Sequence, residues 1–172
     1  MKNRIIIYLV TFFSIGLGTK GNAELGGDLL QAIFPIVSIG LTVSNNDVDG
    51  RQMFYKGSAL TICSTYLLKI SINKKRPNGG GWSFPSGHTS WAFSNAAFIY
   101  KRYGNRLGIP AFILASFVGW SRVQSQNHYW NDVVWGAFLG TACSYFSTQR
   151  FTINSSSSVS SNQLFINLSI KL

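Results

Sequence analysis

Apolar residues gather into five stretches, roughly 28–44, 53–72, 89–103, 107–121 and 132–148, separated by short polar or glycine-containing breaks. Each stretch is long enough for a helix, and none shows the alternation of a half-buried strand. Gly104-Asn105 punctuates the chain after the third stretch, and Gly108-Ile109-Pro110 marks the start of the fourth, with Pro110 suited to the first helical turn. Thr89 and Ser90 can cap the third helix. Gly136 and Gly140 let a neighbouring helix approach the fifth closely, and the expected use is packing within the chain rather than a dimer. The pattern predicts an all-α bundle of five core helices.

The two ends differ from this middle. Lys2, Asn3 and Arg4 precede an apolar run from Ile5 to Gly18, and Gly21-Asn22-Ala23 follows. A basic start, an apolar centre and small residues before a cut describe a signal peptide removed after Ala23. The competing reading is a membrane anchor that stays, although fourteen helical residues span only about 21 Å of a ~30 Å hydrocarbon core. Residues 1–23 are therefore read as signal peptide or anchor and 24–150 as one domain. Residues 151–172 are read as a tail in which Ser155 to Ser161 is a flexible linker or turn. The apolar residues around it allow a short β-hairpin.

Composition leaves the bilayer question open. The 172 residues are 46% hydrophobic and only 12% charged, which excludes a disordered chain. Mean hydropathy is +0.15, high for a soluble protein and low for a multispan one. Lys56 and Lys69 interrupt the second stretch. If the helices span, Lys101, Arg102 and Arg106 fall on the side of Lys2 and Arg4, which is the cytoplasm by the positive-inside rule. The loops 73–88 and 122–131 then face outward, and the signal-peptide reading puts them outside as well. Fifteen Lys and Arg against five Asp and Glu give +10, which favours an anionic partner. Cys63 and Cys143 each sit in an apolar stretch and are expected in the core, with one optional bridge between them.

Three polar clusters interrupt the helices: Lys69 with Asn73-Lys74-Lys75-Arg76-Pro77, then Pro85-Ser86-Gly87-His88, then Ser121-Arg122 with His128 and Asp132. Lys69, Arg76 and Arg122 are cations at helix ends, suited to a multiply charged anion. Ser86-Gly87-His88-Thr89 leads into a helix, whose free N–H groups make a phosphate seat. Asp132 lies four residues after His128 and can orient its imidazole as a nucleophile. His88 is then the natural proton donor to a leaving oxygen. Taken singly each piece has an ordinary structural reading, so the weight rests on their occurring together.

In these residues the chain resembles the type 2 phosphatidic acid phosphatase (PAP2) superfamily, which also includes vanadium haloperoxidases. The family pattern K-x6-R-P, P-S-G-H, S-R-x5-H-x3-D is filled by Lys69, Arg76-Pro77, Pro85 to His88, Ser121-Arg122, His128 and Asp132. One departure is the short gap from Asn78 to Phe84, where Gly79 to Gly81 allow a tight return. The resemblance implies a PAP2-type helical fold and a two-step phosphate hydrolysis without metal or other cofactor. Lys69, Arg76 and Arg122 would hold the phosphoryl oxygens with the Ser86 hydroxyl and the Gly87 N–H. His128 would attack phosphorus, oriented by Asp132, and His88 would protonate the leaving alcohol. Trp82, Phe84, Trp91, Tyr129 and Trp130 crowd these loops, either as core or as a wall and interfacial belt favouring a lipid phosphate.

The expected partner is a phosphorylated substrate, a lipid above all, with a membrane and without nucleic acid. The expected place is the outer side of the cytoplasmic membrane or the periplasm. Alternatives are a phosphatase or phosphotransferase for soluble esters, a haloperoxidase, and a cationic membrane-binding protein without catalysis.

Overall fold

The computed structural model describes residues 20–151, together with the backbone of 153–160 and 163–170. The apolar run Ile5 to Gly18 lies outside the described residues. Five helices follow one another: α1 (Lys20–Ser44), α2 (Val48–Ile72), α3 (Gly87–Tyr103), α4 (Asn105–Gln124) and α5 (Trp130–Ser147). Strands β1 (Ile153–Ser160) and β2 (Gln163–Ile170) pair antiparallel, with Ile153 opposite Ile170. The serine run, expected as linker, thus falls within β1 up to Ser160.

The helix ends show where local chemistry overrode the apolar pattern. α3 starts at Gly87, not at Thr89, because Ser86 is the N-cap: its hydroxyl accepts from the Thr89 N–H at 3.5 Å and the Thr89 hydroxyl at 2.9 Å. α4 starts at Asn105, directly after Gly104, which holds φ +87. Gly108 and Pro110 therefore lie inside α4 rather than before it. α2 is capped by Asp47, which accepts from the Gly50 N–H at 2.8 Å. The position of the expected signal cleavage, after Ala23, falls inside the first turn of α1, where Ala23 is buried.

α3 is the central element. Phe34 of α1, Phe54 of α2, Ala92, Ala96 and Phe98 of α3, and Ala115, Phe117 and Val118 of α4 form one apolar cluster. Phe98 meets the Phe54 ring edge-on, with centroids 5.3 Å apart. On its other side α3 packs against α5, and here a side chain cannot fit. A Cβ on Gly140 would collide with the Ser90 carbonyl, so the two small residues bring α5 onto α3 within the same chain.

Polar side chains line the inside of the bundle. Ser38 donates to Asn95 at 2.8 Å, Thr61 to Ser94 at 3.0 Å, and Thr65 shares a 2.9 Å bond with Ser90. Each bond is worth about 0.5–1.5 kcal/mol net, whereas one orphaned buried partner costs about 1–3 kcal/mol. These pairs therefore set helix register more than they drive association. Large apolar residues instead populate the outside, including Leu29, Ile33 and Ile36 of α1, Leu67 and Ile70 of α2, Ile113 of α4 and Phe138 of α5. By length and composition α1 alone among the described helices suits a membrane span, with mean hydropathy 1.5 over its best window. Cys143 is buried as expected, but Cys63 is exposed on an outer helix face, and both are free thiols.

Candidate active site

The antiparallel run of the helices puts the N-termini of α1, α3 and α5 and the C-termini of α2 and α4 at one end. All three polar clusters belong to that end. Two cavities meet there. One, about 440 Å³, is lined by Lys69, Arg76, Gly87, His88 and His128, and continues between helices past Gln31, Thr65 and Trp91. The other, about 200 Å³, is lined by Arg76, His88, Arg122 and His128 together with Glu24, Asp28 and Asn127. Both imidazoles and Arg76 border both cavities.

Each cation is steered by a carbonyl. Lys69, in the last turn of α2, is buried and donates to the Trp82 carbonyl at 2.8 Å. The α2–α3 connection makes the tight return foreseen at its glycines: Arg76 N–H donates to Gly80 at 2.7 Å, and Gly79 holds φ +88. Arg76 Nε then donates to the Gly81 carbonyl at 3.0 Å. Arg122, at the end of α4, is buried and donates to the Glu24 carbonyl at 2.7 Å through Nη2, to Asp28 at 2.8 Å through Nη1 and to Ser121 at 3.1 Å through Nε. Gly27 leaves the room for this, since a Cβ there would meet Ser121 and Arg122.

His128 lies in the loop before α5 and is almost fully buried. Its Nδ1 is 3.5 Å from the Ser83 hydroxyl and 3.9 Å from Asp132 Oδ2, so Nε2 is the ring nitrogen left for chemistry. Asp132 is fully buried and held on every side. Lys74 donates to Oδ1 at 2.6 Å, while the Ser83 hydroxyl at 2.5 Å and the Tyr129 N–H at 3.1 Å donate to Oδ2. Asp132 thus faces His128 at ion-pair distance with Ser83 alongside, rather than through a short direct hydrogen bond. Burial, reinforced by the charges of Lys69 and Arg76, pushes the His128 imidazole down to about 3. The ring is therefore neutral, with a lone pair available, throughout the physiological range. In NMR of the free protein, the His128 ring resonances, assigned by loss in His128→Gln, should not titrate between pH 4.5 and 8. A midpoint near the ordinary histidine value would contradict this environment.

The expected residues thus converge. Ser86 differs in that it is fully buried and its hydroxyl engages α3, where the resemblance implies a phosphate contact. Asp132 stands behind His128, on the Nδ1 side, and lines neither cavity. Sequence reasoning missed Glu24 and Asp28, Ser83, and the pairing of Lys74 with Asp132. Among the loop aromatics, Trp82, Tyr129 and Trp130 are about half exposed, which excludes a core role for them, while Phe84 and Trp91 are half-buried.

The PAP2 superfamily pattern matches residues 60–155, more than half of the chain. The chain belongs to the PAP2 superfamily. It is 37% identical over 137 residues to a lipid A 4'-phosphatase of Helicobacter pylori, covering 73% of this chain and 69% of that protein. It is 38% identical over 76 residues to a lipid A 1-phosphatase of Porphyromonas gingivalis, covering 42% of this chain but only 17% of that longer protein. The crystal structure of Aquifex aeolicus LpxE superposes with a TM-score of 0.64 at 21% identity, over 81% of this chain and 93% of that one, and shows that the helical PAP2 fold is shared. The superfamily match begins within α2, so α1 and its two acids lie outside it.

Proposed function

We propose that the protein is a phosphatase acting on lipid phosphate monoesters or pyrophosphates through a phosphohistidine on His128. The single observation that carries this reading is the meeting of two imidazoles with Lys69, Arg76 and Arg122 around shared cavities. His128 Nε2 attacks phosphorus, and the P–O bond to the leaving alcohol breaks. His88 gives that oxygen a proton. Water then attacks the phosphohistidine, passes a proton back to His88, and the P–N electron pair returns to His128. Lys69, Arg76, Arg122 and the Gly87 N–H face the phosphoryl oxygens and stabilise the negative charge that a metal ion neutralises in other phosphoryl-transfer enzymes.

A lipid substrate is supported by three observations. Two of the relatives are lipid A phosphatases by name. The bundle exposes many large apolar side chains on its outer faces, and exposed Trp82, Tyr129 and Trp130 lie at the site end as an interfacial belt would. On this reading the helices cross the cytoplasmic membrane and the site faces outward, opposite the end that carries Lys101 and Arg106. Purified protein in detergent should release phosphate from lipid A or phosphatidic acid at a rate unchanged by EDTA. Loss of activity on EDTA treatment, restored by a divalent cation, would overturn the cation-only site. Activity confined to soluble esters would overturn the lipid assignment.

A further inference from the structure

Asp28 lies on the polar face of α1 with Glu24 one turn before it and Gln31 after it, and it lines the smaller cavity of the site. Its Oδ1 lies 3.2 Å from His88 Nε2 and 2.8 Å from Arg122 Nη1. We infer that Asp28 is a positioning residue for the proton donor: its carboxylate holds His88 Nε2–H, so that Nδ1 is the nitrogen that delivers and recovers the proton. This rests on the phosphatase reading above and adds a second Asp–His pair, supplied by α1, facing the Asp132–His128 pair supplied by α5. Three features support it. A carboxylate on one ring nitrogen fixes the tautomer and stabilises the imidazolium that must exist before the leaving oxygen is protonated. Arg122 from α4, Arg76 from the α2–α3 connection and Lys69 of α2 put three cations around the two cavities that His88 borders, with Glu24 of α1 as a further acid in the smaller one. Asp28 is the carboxylate that reaches the ring itself. Finally, Arg122 and Gly27 hold α1 against α4 at the turn that carries Asp28.

The proton inventory is closed. His88 Nδ1–H goes to the leaving alkoxide in the first step, and a water proton returns to Nδ1 in the second. Asp28 neither gains nor loses a proton.

Leaving-group dependence tests the role. An alkyl phosphate needs its leaving oxygen protonated, and p-nitrophenyl phosphate scarcely does. Asp28→Asn should lower kcat on an alkyl or lipid phosphate roughly 10- to 100-fold with KM not raised, while the p-nitrophenol burst, which precedes the water step that both substrates share, slows less than threefold. His88→Ala should lose the alkyl rate more severely and keep that burst, with phosphoenzyme accumulating behind it, and Asp28→Glu should restore part of the alkyl rate. A retained burst certifies folding in the same sample. Equal losses on both substrates, no loss on either, or a lower KM at unchanged kcat would overturn the assignment, the last by showing that the carboxylate merely competes with phosphate. Wild-type protein inactive on both substrates would instead overturn the phosphatase reading itself.

Discussion

His128→Ala is expected to lower phosphate release by roughly 10⁴–10⁶-fold, the loss seen when a covalent nucleophile is removed from a site that otherwise stays intact. The expectation follows from how the ring is held. Its Nδ1 faces Ser83 and Asp132, its Nε2 is left for the cavities, and burial beside Lys69 and Arg76 keeps it unprotonated. Alanine removes the attacking atom and leaves the anion seat, because the cations come from α2, the α2–α3 connection and α4. The folded state should survive, since His128 sits in a loop whose backbone N–H still donates to the Arg122 carbonyl at 3.1 Å. A substrate labelled in the phosphoryl group provides the check. Wild-type protein quenched during turnover should carry an acid-labile, alkali-stable label, and His128→Ala none. His88→Ala should accumulate label from p-nitrophenyl phosphate, because its phosphoenzyme forms without an acid and then lacks a base for water. A His128→Ala protein that still turns over at the wild-type rate would remove the covalent mechanism altogether.

How much of this was legible in the chain depends on the range of the interaction. The residues of the three motifs lie at helix ends, where polarity interrupts an apolar run, and such interruptions are visible in one dimension. The helix count followed from the same contrast. Boundaries were less visible because caps and close approaches compete with periodicity. Ser86 looks like a ligand in a motif, but it is also the best acceptor next to the start of α3. Gly108 looks like a helix breaker, yet it lies inside α4 because a side chain there would collide with Tyr100.

Glu24 and Asp28 were invisible as site residues for a different reason. They contact Arg122 and Asn127 across 94 and 103 positions of sequence, and no spacing relates them to the motifs. The one available signal was negative: few acids in so basic a chain, two of them one helical turn apart. Cys63 shows the reverse error. Its apolar neighbourhood suggests a core position, but these helices carry large apolar residues on the outside as well as in the core, and hydroxyls share the inside. Apolar character alone therefore does not say which way a residue faces in this bundle.

The largest loss of stability is expected at the other end of the bundle, at Arg102. By sequence Arg102 counts with Lys101 and Arg106 among the charges that set topology, but Arg102 is buried, while Lys101 beside it lies 3.8 Å over the Tyr145 ring. Its Nε and Nη2 donate to Asp47 at 2.7 and 2.5 Å, a bidentate pair in which both side chains are more than nine-tenths buried. Asp47 also caps α2 and accepts from the Tyr103 hydroxyl at 2.9 Å. Arg102 Nη1 donates to the Gln149 carbonyl at 3.0 Å, and the Phe151 N–H returns to the Arg102 carbonyl. One side chain thus ties the α1–α2 junction, the end of α3 and the segment after α5 together. Arg102→Ala leaves a buried carboxylate without its countercharge, which costs about 3–5 kcal/mol. Adding Asp47→Asn removes the stranded charge, so the double variant should recover most of that loss while still giving up part of the cap, about 1 kcal/mol. Denaturation midpoints of the four proteins in one detergent measure the coupling. Additive losses would mean that the two groups act independently. Folded Arg102→Ala should keep a wild-type kcat, because α3 separates this cluster from His88 by ~21 Å at the helical rise per residue. A matching fall in kcat would show that the clamp and the catalytic end are not independent parts of the bundle.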